Sequence, residues 1–168
     1  NMIEVVHHFR DVARIVVGSQ QTEPGDGWPY NLVLREAKKR PERTALARRI
    51  VETYLASYRA RATSDVTQSA IDVAKTDAAV LRLHALGDAL ADHFDACGEA
   101  VEAVRTSLQV FEMADYVDLV QLADAVAGAV TAPRVRKAAT ALSGAAGKCV
   151  LANGRLGAGV ARANGLSV

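Results

Sequence analysis

The chain of 168 residues is long enough to bury a core as one domain, and half of its residues are hydrophobic, which is ordinary for a globular protein. Its formal net charge of +1 gives no overall field that favours nucleic acid or another strongly charged partner. No apolar run approaches the roughly 20 residues that a membrane-spanning helix needs, and we expect no membrane association.

The first elements are a helix and a strand that follow each other closely. Apolar residues at three- and four-residue spacing predict a helix over residues 2–12. The apolar run over 13–18 predicts a central strand, buried on both faces as in a parallel α/β sheet. Because no loop precedes the helix, and because the chain begins at Asn1 rather than Met, we expect the domain to start upstream. Localisation is left open.

A polar loop follows this strand. The run Glu23-Pro24-Gly25-Asp26-Gly27-Trp28-Pro29-Tyr30 contains two prolines and two glycines and cannot continue a strand. In open α/β sheets, ligands bind just beyond the carboxyl ends of the strands, where this loop would lie. The loop is therefore the candidate site of the chain.

The rest of the chain is predicted to be mainly helical. Helices are expected over 28–39 and 44–58, along a stretch from 73 to 111 that Gly98 bends or breaks, over 115–130, and over 133–151. Residues 65–73 predict a strand whose Asp72 caps the next helix, and residues 165–168 predict the start of another strand. The basic residues between 38 and 49 alternate with glutamates, which indicates a solvated helix face rather than a nucleic-acid surface.

The loop also carries a resemblance to a known family. The pattern strand–Gly18-Ser19-Gln20-Gln21, followed by Pro-Gly-Asp-Gly-Trp-Pro-Tyr, resembles the region just after the catalytic cysteine of clostripain-like cysteine peptidases, in the caspase and gingipain group. Weaker similarities follow in order at residues 67–72, 115–119 and 165–168. The resemblance implies a caspase-like α/β sandwich, of which residues 1–168 form the helix-rich carboxy-terminal portion of one domain, with few and mostly buried strands.

The catalytic residues of that family lie in an upstream His-Gly and an Asp-x-Cys. By resemblance, the cysteine belongs a few residues before Asn1, so no catalytic residue is expected in this chain. A second polypeptide or an upstream segment would carry the Cys and His. Proteolytic processing into two associated chains (a heterodimer) and a split gene both remain open. Calcium dependence is implied by the family only, since no calcium-loop spacing is present, and no other cofactor is expected.

The chain's own thiols and imidazoles fit structural roles better. Cys97, in Asp95-Ala96-Cys97-Gly98, imitates Asp-x-Cys but stands at a core position of a helical run, and Cys149 is expected on the inner face of the last helix. Neither belongs to a Cys-x-x-Cys pair, which excludes a cysteine zinc site. His84 and His93 lack the spacing that lets two imidazoles share a metal.

Two other motifs lack the residues that the corresponding functional patterns require. His7 and His8 do not follow the family's His-Gly pattern, and helix surface or partial core is expected for them. Residues 143–149 imitate a phosphate loop but have Leu142 and Cys149 where Gly and Ser or Thr are required.

The substrate-binding candidates all lie at the strand exit and in the loop. Clostripain-like enzymes cleave after basic residues, and a guanidinium pocket requires a carboxylate that compensates its desolvation. Asp26 is the candidate by position and Glu23 the reserve, although Asp26 could simply serve the turn. Ser19 and Gln20 could offer backbone to an extended peptide or protein substrate. Trp28 could form a pocket wall or anchor the helix start in the core.

Two functions therefore remain open from the sequence. The first is a subunit or fragment of a cysteine endopeptidase that cleaves after Arg or Lys and is inactive as this chain alone. The second is a catalytically inactive interaction or regulatory module on the same scaffold. A free-standing helical regulator would leave the loop at 19–30 unexplained. The residues upstream of Asn1, or a companion chain with His-Gly and Asp-x-Cys, would discriminate between the first two.

Overall fold

The computed structural model describes residues 1–61 and 65–168. The elements, in chain order, are α1 (Ile3–His8), β1 (Ile15–Gly18), α2 (Tyr30–Lys38), α3 (Arg43–Ala60), β2 (Val66–Asp72), α4 (Thr76–Asp92), α5 (Phe94–Ser107), α6 (Leu119–Ala129), α7 (Pro133–Cys149) and β3 (Val150–Leu156). Short 3-10 turns at Val73–Lys75 and Ala158–Val160 complete this part of the chain. The predicted helix-rich α/β class is confirmed.

The described strands form one antiparallel sheet in the order β1-β2-β3. Strand β2 is central and buried along nearly its whole length, whereas β1 and β3 are largely half-buried. The prediction that β1 is a central strand of a parallel sheet is wrong: β1 lies at the edge of the described sheet and runs antiparallel to β2, with Ile15 opposite Asp72 and Gly18 opposite Ser69.

The apolar run of β1 has a physical explanation that does not require a central position. Successive side chains of a strand point to opposite faces. Ile15 and Val17 contact the apolar cluster on α3, and Val16 contacts the larger core on the opposite face. Both faces of β1 are thus covered by helices, while its outer edge has no partner among the described strands. An apolar run in a strand indicates that both faces of the strand are covered. It does not indicate whether the strand lies at the centre or at the edge of the sheet.

The sheet separates two cores. The larger one lies between the sheet, α1 and the helices α4 to α7, and the smaller one lies under α3. Neighbouring residues of β2 divide between them, since Ile71 belongs to the larger core and Ala70 to the α3 side. This arrangement is an α/β sandwich in which helices cover both faces of the sheet.

Several predicted boundaries differ from the structure. The long helical stretch is interrupted at His93, whose φ of −125° is not helical, and Gly98 lies within α5 under the ring of Phe94. Strand β3 follows α7 directly at Val150, where the sequence analysis continued the helix to 151. Asp72 precedes the first 3-10 turn, and its side chain makes no capping hydrogen bond.

The two ends of the chain lie side by side. Ser167 forms isolated β-bridges with Met2 and with Asp118, and its N–H donates to the Asn1 carbonyl at 2.9 Å. The predicted strand start at 165–168 therefore takes the form of bridges that hold the amino end of α1 and the start of α6 together. Within residues 1–61 and 65–168, no helix combines the length and the apolar character needed to cross a bilayer.

Gly157 provides a test of how β3 is anchored. Its φ is +100°, and a Cβ there would overlap the backbone nitrogen of Asp65. Gly157→Ala is therefore expected to lower the free energy of unfolding by about 2 kcal/mol or more, because backbone strain and steric overlap add. Urea denaturation of the chain measures this.

The matched control is Gly144→Ala in α7, where a Cβ would enter open space. Because glycine weakens a helix interior, this change is expected to raise the free energy of unfolding by about 0.5 kcal/mol. If Gly157→Ala left the free energy of unfolding unchanged, the chain after β3 would be free to move away from Asp65, and the close contact at residue 157 would not anchor it.

Candidate functional site

The chain leaves β1 by turning over the side chain of Thr67. The buried Thr67 Oγ1 accepts hydrogen bonds from the backbone N–H groups of Gln20 (2.9 Å) and Gln21 (3.0 Å), and it lies 2.7 Å from Ser19 Oγ. These contacts explain why the strand ends at Gly18. They also occupy the N–H groups of Gln20 and Gln21, so neither donor is free to pair with an added substrate strand.

Gln20 belongs to a buried polar network rather than to an open surface. Its Nε2 donates to Asp118 Oδ2 at 3.0 Å, and its Oε1 accepts from the Gly165 N–H at 2.7 Å. Asp118 is fully buried and also accepts from the Gln121 N–H at 2.8 Å, which caps α6, and from both the N–H and the side-chain amide of Asn164. The network thus joins the strand exit, the start of α6 and the end of the described chain.

Asn1 lies against the same strand exit. Its Nδ2 donates to the Gly18 carbonyl at 3.0 Å and to Ser69 Oγ at 2.6 Å, and its backbone nitrogen contacts the Ser19 carbonyl. A Cβ on Gly18 would press into the Asn1 side chain, so glycine permits this approach. Residue 1 therefore lies in a shielded place beside the loop.

The loop is fixed on its other side by Trp28. The indole Nε1 donates to Glu23 Oε2 at 2.7 Å, and the half-buried ring packs edge-on against Tyr54 of α3 at a centroid distance of 6.2 Å. It also stacks on Tyr30, at 6.3 Å. Trp28 therefore anchors the loop on α3 while the residue as a whole remains partly exposed.

A buried hydroxyl lies beneath this contact. Tyr54 Oη has no hydrogen-bond partner among the described residues. Burial raises the pKa of Tyr54, and the Glu23 carboxylate adds to the effect, so the phenol remains neutral throughout the physiological range.

Asp26 stands at the exposed tip of the loop. Its Oδ2 lies 3.0 Å from the Arg61 guanidinium, and about two thirds of its side chain is exposed. The following Gly27 has a φ of +64°, and its carbonyl accepts a hydrogen bond of 2.8 Å from the Tyr58 hydroxyl. The turn is thus tied to α3, and the carboxylate projects from it toward solvent.

The two thiols are buried, and two of the imidazoles, those of His7 and His93, lie within hydrogen-bonding distance of neighbouring residues. Cys97 is 1% exposed in the larger core, and Cys149 is fully buried with its pKa raised to about 11 by burial. His7 Nδ1 lies 3.1 Å from Thr76 Oγ1, and His93 Nδ1 lies 3.1 Å from the Ala89 carbonyl. Within residues 1–61 and 65–168, no three His, Cys, Asp or Glu side chains lie close enough together to hold a metal ion.

This fold and this strand exit agree with the family that the loop sequence suggests. The family model described as the clostripain family matches residues 1–150. The chain belongs to the clostripain family. A comparison with curated protein sequences gives no match.

Solved structures of similar fold include proteases from Parabacteroides distasonis and Bacteroides thetaiotaomicron. An inactive zymogen protease from Parabacteroides distasonis is 15% identical with a TM-score of 0.67. The match includes 99% of the chain described here and 48% of that protease. A secreted cysteine protease from Bacteroides thetaiotaomicron, in complex with an irreversible peptide inhibitor, is 17% identical with a TM-score of 0.65 and the same coverage. A clostripain from Bacteroides thetaiotaomicron, also bound to a peptide inhibitor, is 13% identical with a TM-score of 0.69 and 72% covered. The clostripain-family chain described here spans about half the length of the first two.

The network around Asp118 is not predicted from the sequence. Asp118 belongs to Asp115-Tyr116-Val117-Asp118-Leu119, which resembles a family element. An Asp directly before an apolar helix is a recognisable N-cap signal. Nothing in the sequence, however, connects it with Gln20 and Asn164, which come from distant parts of the chain.

Removing the Asp118 carboxylate should destabilise the chain strongly. Asp118→Ala leaves the donors of Gln20, Gln121 and Asn164 buried without an acceptor, and we expect the free energy of unfolding to fall by about 3 kcal/mol. Denaturant unfolding measures the change. Asp124→Ala, at an exposed position of the same helix, is the matched control and should stay within about 0.5 kcal/mol of the parent chain. Equal effects of the two substitutions would contradict the structural role of the network.

The burial of the two thiols predicts their reactivity. In the native chain neither Cys97 nor Cys149 should be alkylated by iodoacetamide within minutes at neutral pH, because the reagent cannot reach a buried thiol. Both should react fully in denaturant, which serves as the control. Mass spectrometry measures the labelling, and rapid native labelling of Cys97 would revive it as a nucleophile candidate.

Proposed function

We propose that this chain is the carboxy-terminal part of the catalytic domain of a clostripain-family cysteine endopeptidase that cleaves after Arg or Lys. In this proposal the chain contributes the loop that selects the substrate side chain, and a segment or chain outside residues 1–168 contributes the Cys and the His. The observation that carries the proposal is the position of Asn1 beside the strand exit, where its side chain contacts Gly18 and Ser69.

The reach of the backbone supports this placement of the nucleophile. Consecutive Cα atoms are about 3.8 Å apart, so residues joined to Asn1 remain near the carboxyl end of β1 for several positions. A cysteine a few residues before Asn1 would therefore lie next to the loop at 19–30. The solved relatives are consistent with such an arrangement, since this chain covers only about half of the first two.

The chemistry divides between the two parts. The external thiolate attacks the carbonyl carbon of the scissile peptide, the external imidazole protonates the leaving amine, and water then hydrolyses the thioester. The chain described here does not take part in these proton transfers. Its task is to hold the substrate so that the bond after the basic residue lies at the sulfur.

Asp26 is the better of the two carboxylates for recognising the basic side chain. Its carboxylate is exposed on a turn fixed to α3 and already accepts a guanidinium at 3.0 Å. Glu23 is held by the Trp28 indole and supports the loop from inside. Trp28, which remains partly exposed, would contact the aliphatic part of the substrate side chain.

Asp26→Asn tests this assignment in the full-length protein with the segment that carries Cys and His. We expect kcat/KM for peptides with Arg or Lys at the cleavage site to fall at least about tenfold, because a charge-assisted interaction is lost. The thermal midpoint should change little, since an exposed ion pair contributes only about 0.2–1 kcal/mol.

Glu23→Gln is the matched control, since it removes a charge while preserving an acceptor for Trp28. It should lower kcat/KM less than about threefold if Asp26 is the selecting carboxylate. A larger loss in Glu23→Gln than in Asp26→Asn would transfer the role to Glu23. Parallel losses of activity and stability in Asp26→Asn would assign Asp26 to the turn alone.

A catalytically inactive interaction module is the second candidate. It is favoured by the burial of both thiols in the described residues, which leaves this chain without a nucleophile of its own. An irreversible arginine-directed peptide probe distinguishes the two functions. Covalent labelling of a cysteine upstream of Asn1, or on a companion chain, supports the peptidase. An unlabelled full-length protein, with neither Asp-x-Cys nor His-Gly in it or in a companion chain, supports the module.

A further inference from the structure

The carboxylate proposed to select a basic substrate side chain is already in contact with a basic side chain of the same protein. Arg61, the residue that follows the last residue of α3, places its Nη1 at 3.0 Å from Asp26 Oδ2. The same guanidinium lies over the ring of Tyr58, with its Cζ at 5.4 Å from the ring centroid. The Arg61 head group is therefore held by a carboxylate and an aromatic face together.

These contacts combine the two kinds of group that bind a guanidinium, a carboxylate and an aromatic face. Tyr58 and Arg61 are three positions apart at the carboxyl end of α3, so their side chains share one face of the helix. Tyr58 is fully buried, and its hydroxyl donates to the carbonyl of Gly27, the residue next to Asp26. Carboxylate and ring are thus parts of one rigid unit, and a planar cation is the group that fits both of them.

We propose that Arg61 is an internal competitor that occupies the subsite for the basic side chain of the substrate, with the Tyr58 ring as the platform of that subsite. The proposal rests on the function proposed above. A substrate Arg or Lys has to displace the Arg61 guanidinium before its own head group reaches Asp26. Substrate specificity then depends on Tyr58 as well as on Asp26.

The exposure of the pair determines how strong the competition is. Side-chain exposure is 43% for Arg61 and 66% for Asp26, so water and salt screen the contact. Exposed ion pairs of this kind shift an equilibrium by about 1.5- to 5-fold. The competitor therefore raises the KM for basic substrates modestly and leaves kcat unchanged, because an occupied subsite only lowers the fraction of competent protein.

The simpler explanation of the pair is an ion bridge that holds the loop on α3, and it predicts the opposite sign. If Arg61 only fixes the loop, its removal loosens the subsite and raises the KM. If Arg61 competes with substrate, its removal lowers the KM. The two explanations are therefore separated by the direction of one measured constant.

The experiment compares Arg61→Ala with the parent full-length protein, including the segment that carries Cys and His. For peptides with Arg or Lys at the cleavage site, KM should fall by about 1.5- to 5-fold at unchanged kcat. KM for a peptide with Gln at that site should not change. Arg49→Ala is the matched control, because Arg49 forms a comparable exposed pair with Glu52 on the same helix, at 2.8 Å. It should leave both constants unchanged.

A double variant ties the effect to the carboxylate. In the Asp26→Asn background, the further change Arg61→Ala should leave KM unchanged, since no anion remains for which the two cations compete. Tyr58→Leu should raise KM for Arg peptides more than for Lys peptides, because a guanidinium stacks on the ring more extensively than an ammonium. If KM stays the same or rises in Arg61→Ala, the proposal that Arg61 competes with the substrate side chain is wrong.

Direct binding separates failure of this inference from failure of the proposed function. Agmatine carries a guanidinium but no scissile bond, and calorimetry should show that it binds Arg61→Ala about 1.5- to 5-fold more tightly than the parent protein. If agmatine binds Arg61→Ala more tightly than the parent protein but no cleavage after Arg or Lys occurs, the guanidinium subsite is supported and the peptidase proposal is wrong. If cleavage occurs but neither KM nor agmatine affinity changes, the peptidase proposal stands and the competitor is rejected.

Discussion

The arrangement of the strand exit depends on one buried carboxylate. Asp118 has no exposed surface, and its oxygens accept from Gln20, Gln121 and both donors of Asn164. A buried charge is tolerated only when its hydrogen-bonding capacity is filled. The three segments that supply the donors therefore have to meet at one point. This requirement fixes the end of β1 relative to α6 and to the last described residues.

The loop follows from that fixed point. Thr67 holds the two residues that leave the strand, while Trp28 and the Tyr58 hydroxyl hold the far side of the loop on α3. Between these two attachments the chain turns at Gly25 and Gly27 and presents Asp26 to solvent. An exposed carboxylate on a rigid support is suited to binding a cation from outside, because little conformational freedom is lost on binding.

The sequence predicted the fold where periodicity carries the information. Helices α3, α4 and α7 follow from apolar spacing, and the loop follows from its prolines and glycines. Strand β3 was missed because its Val-Leu-Ala-Asn-Gly-Arg-Leu follows a helix without any turn residue and does not alternate cleanly. The role of Gln20 was also missed, since its partner Asp118 lies 98 positions away. Local patterns predict elements, whereas buried polar pairs depend on tertiary distances that no spacing encodes.

The outer side of β1 has a consequence for handling the chain in solution. Among the described strands, only β2 pairs with β1. The backbone N–H and C=O groups of β1 that point away from β2 can form hydrogen bonds with the backbone of another chain. Its Ile-Val-Val sequence contains neither charge nor proline to discourage such pairing. A preparation of residues 1–168 by itself would thus be prone to oligomerise through strand addition.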